Sequence, residues 1–179
     1  MIRKIIPLLM ITLLCCSCQR KSFYQQSKTL PASGWKQNLP ISFSDSLPSD
    51  APDSMHFVIT LRHNNLYPYQ NIWLYVQVKS SDGTTRTDSI NWKLAETNGR
   101  WLGKGWGSLY NISCILPDFK IKKTGTRRWF EIKIQHGLRD ETLEGVEDIG
   151  VRLYSDRQID HSDLSPLQPV SIQTQENKK

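Results

Sequence analysis

Past residue 18 this chain of 179 residues holds a single cysteine, Cys114, and that scarcity excludes an internal disulfide from everything downstream. The same stretch has no His-Glu-x-x-His and no Cys-x-x-Cys. Its four histidines, His56, His63, His136 and His161, are scattered, so no zinc site or other metal cofactor is expected. The chain also lacks an apolar run long enough to cross a bilayer. The longest, Ile5 to Leu14, has ten residues, about 15 Å of helix against a hydrocarbon core of about 30 Å. Charge of one sign is not in large excess, with 23 Lys and Arg against 17 Asp and Glu. No basic stripe at helical spacing accompanies it, and nucleic-acid binding is not expected. A sustained helical period is missing as well, which argues against a bundle.

What is present begins at the N-terminus. Arg3 and Lys4 precede the apolar run and Cys15-Cys16-Ser17-Cys18 closes it, in the manner of a bacterial lipoprotein signal. Such a signal needs a small residue just before the acylated cysteine. Ser17 meets that need for Cys18, whereas Cys15 follows the bulky Leu14. The position three before Cys18 is Cys15, where these signals usually carry leucine. Cys18 is therefore the expected lipidation site, bearing palmitate among its acyl chains. Gln19, Arg20, Lys21 and Ser22 follow it, with no acidic residue of the kind that retains lipoproteins at an inner membrane. The expectation is an outer-membrane anchor with the domain facing the periplasm.

The expected organisation is a signal peptide at 1–17, a lipidated tether at 18–34, a β-sandwich domain at 35–155 and a flexible polar tail at 156–179. Trp35 to Phe43, interrupted at Pro40, reads as an edge strand or a strand with a bulge, and residues 44–54, dense in Ser, Asp and Pro, read as a loop. Met55 to Arg62 alternates, with Phe57, Ile59 and Leu61 on one face. Ile72 to Val78 is apolar or aromatic almost throughout and predicts a central strand. Asp82-Gly83 marks a hairpin turn, and Thr85 to Leu94 is the returning strand. Leu109 to Leu116, Arg128 to Gln135 and Ile149 to Tyr154 have the same character, with Ile112, Cys114 and Leu116 sharing one face and Phe130, Ile132 and Ile134 another. Cys114 is thus expected as a small buried hydrophobe. Residues 138–147 alone suggest a short helix or irregular turn. About seven strands between Gly, Pro and Asp turns predict an all-β, antiparallel sandwich of one domain, jelly-roll-like or immunoglobulin-like.

Little in the chain looks catalytic, and no enzyme activity is expected. The glycine-rich stretch Gly99 to Ser108 fails as a phosphate loop, because three residues separate Gly99 from the Gly103-Lys104 pair where four are needed, and Gly105 follows the lysine. Its serine is likewise misplaced for a nucleophile elbow. Trp101 and Trp106 either pack or serve as stacking platforms. With Tyr67 and Tyr69 they are the candidate ligand-binding residues, since flat rings beside hydrogen-bonding groups can cover the apolar side of a sugar. A glycan is accordingly one candidate partner. The acidic run Asp140, Glu141, Glu144, Glu147 and Asp148 lacks EF-hand spacing and reads as a solvated loop.

Four segments carry a resemblance: Leu61-Arg62-His63-Asn64, Tyr67 to Leu74, Gly99 to Gly105, and Gly145 to Val151. In this order, behind a lipoprotein signal, they resemble the gliding-motility lipoprotein GldH family over about Phe23 to Tyr154. The resemblance implies an outer-membrane lipoprotein used in surface gliding and the associated secretion machinery, with other cell-envelope proteins as partners. It brings no catalytic residues with it. The triplets Asp45-Ser46-Leu47, Asp53-Ser54-Met55 and Asp88-Ser89-Ile90 are similar to sites at which certain Gram-negative bacteria O-glycosylate exported proteins, which makes Ser46, Ser54 and Ser89 candidate acceptors. Intact-mass spectrometry of the mature protein is expected to show sugar mass beyond peptide and lipid. A mass equal to those two alone ends that assignment.

Overall fold

Every strand of this chain that alternates apolar and polar residues has one face to hide, and two such sheets hide theirs against each other. The computed structural model describes residues 22–52, 54–121, 128–155, 157–159 and 164. The signal peptide, Cys18 and most of the expected tail lie outside the described residues. Among those described there are eleven strands and no helix: β1 (Tyr24–Thr29), β2 (Trp35–Lys36), β3 (Ile41–Leu47), β4 (Met55–Asn64), β5 (Asn71–Ser80), β6 (Thr85–Lys93), β7 (Lys104–Trp106), β8 (Leu109–Lys120), β9 (Arg128–His136), β10 (Thr142–Leu143) and β11 (Val146–Ser155).

They form a five-stranded sheet in the order β1-β11-β4-β8-β7, a four-stranded sheet β3-β9-β5-β6 and a two-stranded patch β10-β2. Every pairing is antiparallel. Set aside β2, β7 and β10, and the eight long strands run first, eighth, third, sixth in one sheet and second, seventh, fourth, fifth in the other. That interleaving is a jelly roll, the first of the two sandwich variants that the alternation allowed.

The core lies between the sheets. Phe57, Ile59 and Leu61 of β4, with Ile112, Cys114 and Leu116 of β8, face Leu74 and Val76 of β5, Trp92 of β6 and Phe130, Ile132 and Ile134 of β9. Phe130 is the hinge of this packing, edge-on to both Tyr24 at 4.9 Å and Phe57 at 5.3 Å. Cys114 is fully buried and burial pushes its thiol up, away from reactivity.

Four local expectations change. Residues 24–29, expected as tether, form β1 and pair with β11 along six residues, so the sandwich begins before residue 35. Only Tyr24 of the six is buried, and backbone hydrogen bonds rather than apolar burial make this a strand. Pro40 divides the expected Trp35–Phe43 strand into β2 and β3, since it has no N–H to offer a ladder. β3 then runs on to Leu47 through exposed Ser44, Asp45 and Ser46, inside the expected loop. In place of a helix or turn at 138–147 stand β10 and the start of β11. β5 is internal as expected, yet only alternate residues are buried, and Trp73 and Tyr75 face outward. The Asp82-Gly83 turn forms with Gly83 at φ +80°. Asp82 accepts from Thr84 N at 2.9 Å and from the Ser80 and Thr84 hydroxyls, which holds its carboxyl below the usual range.

Removing the ring that both sheets share should be costly. Phe130→Ala is expected to lower unfolding free energy by about 3–5 kcal/mol, read from urea denaturation midpoints at unchanged slope.

Candidate functional site

Two regions gather chemistry-bearing side chains. The first is an aromatic cluster at one end of the sandwich. β4 delivers His63, the turn after it delivers Tyr67 and Tyr69, β8 delivers Tyr110, and the Ala95–Trp101 bridge holds Trp101 in place. His63 sits at the centre, 4.5 Å from the Trp101 ring, 5.5 Å from Tyr110 in a stacked arrangement and 5.6 Å from Tyr67. Gly145 makes this possible. A Cβ there would lie 2.2 Å from the Tyr67 backbone nitrogen, and its φ of +76° suits glycine alone.

Three of the four candidate ligand-binding residues therefore come together, and the hydroxyls of two are occupied within the protein. Tyr67 donates to the Asn71 carbonyl at 2.8 Å and Tyr69 to Asp140 at 2.6 Å. Burial raises the Tyr67 phenol, and the hydrogen bond to Asp140 raises that of Tyr69. Trp101 donates to Asn65 at 3.2 Å and keeps part of its ring exposed. Trp106 stands apart, 95% exposed at the tip of the β7–β8 hairpin. The four do not compose one platform.

The acidic run is dispersed by the fold. Asp140 meets Tyr69, Glu147 accepts from Asn64, and Asp148 on β11 accepts from Thr29 at 2.6 Å and pairs with Arg62. Among the described residues no three His, Cys, Asp or Glu side chains converge as a metal site. Of the candidate acceptors, Ser46 is exposed on β3, Ser54 is half-buried just before β4, and Ser89 is half-buried on β6. β3 and β6 are the edges of their sheet.

The second region is invisible to motif reading. The outer face of the five-stranded sheet carries a groove of about 870 Å³. Ser27 of β1, Thr60 of β4 and Ser113 of β8 line it from one cross-strand row, in which Gly150 of β11 is buried between Ser27 and Thr60. Along one side runs a row of longer side chains, Thr29, Asp148, Arg62, Asn111 and Lys104. Gln25 and Arg152 stand on the other. These positions lie on separate strands tens of residues apart, and only the register brings them into rows.

Two buried histidines respond to acid. Desolvation holds His63 below its ordinary 6.5 despite the Asn64 carbonyl, and His136 likewise despite the Trp35 carbonyl and the charge of Asp140. Because the unfolded chain takes up these protons first, stability is expected to fall as pH drops through 6.5 and to level off once the folded imidazoles protonate. His63→Phe should lose less stability than the parent between about pH 7.5 and pH 5.5, measured by urea melts. An equal loss in both would remove His63 from the account.

A sequence model of the GldH lipoprotein family matches residues 22–153. Gliding motility lipoprotein GldH of Flavobacterium johnsoniae is 26% identical over 153 residues, covering 82% of this chain and 92% of that one. The GldH homolog of Christiangramia forsetii is 25% identical over 146 residues, covering 76% and 86%. Among solved structures, a fructofuranosidase from Schwanniomyces occidentalis complexed with fructose has a TM-score of 0.35 at 12% identity, covering 74% of this chain and 33% of that one. The EclA C-terminal domain, a sugar-binding protein, has a TM-score of 0.31 at 12% identity, covering 75% and 78%. Structural likeness at that level says nothing about function.

Proposed function

The chain belongs to the GldH lipoprotein family, and on that premise we propose that it is an outer-membrane lipoprotein held by acyl chains on Cys18, facing the periplasm, and a non-enzymatic component of a gliding-motility or associated secretion complex of the envelope. The observation that carries this reading is the extent of the family match. It starts at residue 22, four positions after Cys18, and runs to residue 153, through all eleven strands but the last residues of β11.

The layout of the sandwich supports it. β1 enters the sheet beside Leu153 and Phe57, whereas Asn64, Leu109 and the Trp106 tip lie at the opposite end of β4 and β8. Three of the six exposed large apolar residues, Leu66, Trp106 and Leu109, therefore lie at the end remote from the anchor, where a protein neighbour rather than the anchoring lipid would meet them.

Cys18→Ala should move the protein from the membrane to the soluble fraction, because each buried methylene of an acyl chain contributes about 0.8 kcal/mol of membrane affinity. Retention in the membrane would count against tethering by lipid alone. A photo-crosslinking residue at Trp106 is expected to capture envelope proteins in cells, identified by mass spectrometry. Recovery of nothing but uncrosslinked monomer would sink the complex.

A further inference from the structure

We infer that the outer face of the four-stranded sheet binds a neutral, β-linked oligosaccharide, with the Tyr75 ring as the platform under one sugar. The inference stands on register and side-chain geometry and does not depend on the envelope role proposed above.

The ring comes first. Tyr75 points outward from β5 and is 50% exposed. Side chains on a strand ordinarily stand roughly perpendicular to the sheet, but this one lies down. Beside it the chain leaves β9 at Gly137, whose N–H donates to the Trp73 carbonyl at 2.7 Å. A Cβ on Gly137 would meet three adjacent atoms of the Tyr75 ring, Cε2, Cζ and Cδ2, at 2.7, 3.1 and 3.3 Å. The ring thus takes the space that any other residue at 137 would fill, with one side against bare backbone and the other turned to solvent. A flat ring held in this way can stack on the apolar C–H side of a pyranose.

The surroundings come second. Tyr75 lies in a cross-strand row between Ser89 of β6 and Gln135 of β9. Gln77, Thr87 and Lys133 form the row on one side of it, and Trp73 stands in the row on the other. With rows about 6.7 Å apart and strands about 4.8 Å apart, three rows over three strands make a surface of about 13 by 10 Å. Part of its chemistry is already oriented. Gln135 donates its amide to the Gln37 carbonyl at 2.6 Å and Gln77 donates to the Thr87 hydroxyl at 3.3 Å, which leaves both amide oxygens to accept. The hydroxyls of Tyr75 and Ser89 and the indole N–H of Trp73 have no hydrogen-bond partner among the described residues.

Charge and size then select the ligand. Glu131 meets Lys133 at 3.2 Å and Lys79 at 4.0 Å, so the charged groups beside the patch answer one another and call for no ion. The next exposed aromatic on this face, Trp129, lies beyond them, six residues along β9 from Gln135 and about 20 Å away. The apolar area is therefore limited to the Tyr75 and Trp73 rings, far below the roughly 800 Å² that each partner buries in a stable protein interface. A β-linked sugar chain is flat, edged with hydroxyls and apolar on its faces, and it fits both the ring and the acceptors around it. An α-linked chain winds away from a flat sheet.

The test is titration calorimetry on the full lipoprotein in a detergent without a sugar head group, with cellohexaose as the β-linked probe and maltohexaose as its α-linked isomer. Cellohexaose is expected to bind with a dissociation constant of about 1 mM or tighter, and about tenfold more tightly than maltohexaose. Tyr75→Ala should weaken it by about tenfold with the thermal midpoint unchanged, whereas Tyr75→Phe, which keeps the ring, stays within about threefold of the parent. Gly137→Ala displaces the ring from the backbone without altering it and should weaken binding by about threefold or more. Trp129→Ala, on the same face beyond the paired charges, leaves the affinity as it was. No heat from cellohexaose at millimolar concentration, or equal affinity for both probes, overturns the inference. So does binding that survives Tyr75→Ala, or that is lost with Trp101→Ala instead.

Discussion

The pairing of the first strand with the last is the constraint on which the rest of the molecule depends. β11 lies between β1 and β4, bonded to both along most of its length. Its inward residues Ile149, Val151 and Leu153 are fully buried. Take β11 away and the five-stranded sheet falls into an isolated β1 and a three-stranded remnant, with one edge of β4 left unpaired. The rows of the outer face exist for the same reason, because Gly150 can sit between Ser27 and Thr60 only while β11 keeps its register with both neighbours.

Much of this was legible in the sequence wherever one face of a strand is apolar. The alternations in β4, β8 and β9 correctly mark which residues face the core, and Asp82-Gly83 marks a real reversal. β1 escapes such reading because five of its six residues are exposed, and backbone pairing leaves no trace in composition. The end of β3 escapes for a related reason, since Ser44, Asp45 and Ser46 on a sheet edge look the same as a loop. At 138–147 the apolar residue Leu143 belongs to the two-residue β10–β2 pairing and Val146 opens the long β11–β4 pairing on the other side of Gly145, a geometry with no period to detect.

The candidate sites divide along the same line. Tyr67 and Tyr69 were visible as an aromatic concentration, but that the Tyr67 hydroxyl closes on Asn71 within its own turn, and that of Tyr69 on Asp140 seventy-one residues away, was not. The groove was not visible at all. A serine, a threonine and a second serine, each unremarkable on its own strand, come to line one groove only through three strand registers taken together. Tertiary pairing, not local pattern, writes the surface chemistry of a sheet.

The position of β1 has one more consequence. In the proposed arrangement, held by its N-terminus and engaged at its far end, the molecule would be under tension along the strand axis. Six paired residues of β1 and β11 then share that load in shear, all resisting together, whereas a hairpin peeled from its end gives way one rung at a time. The edge strand that looks least securely buried is thus oriented to withstand pulling.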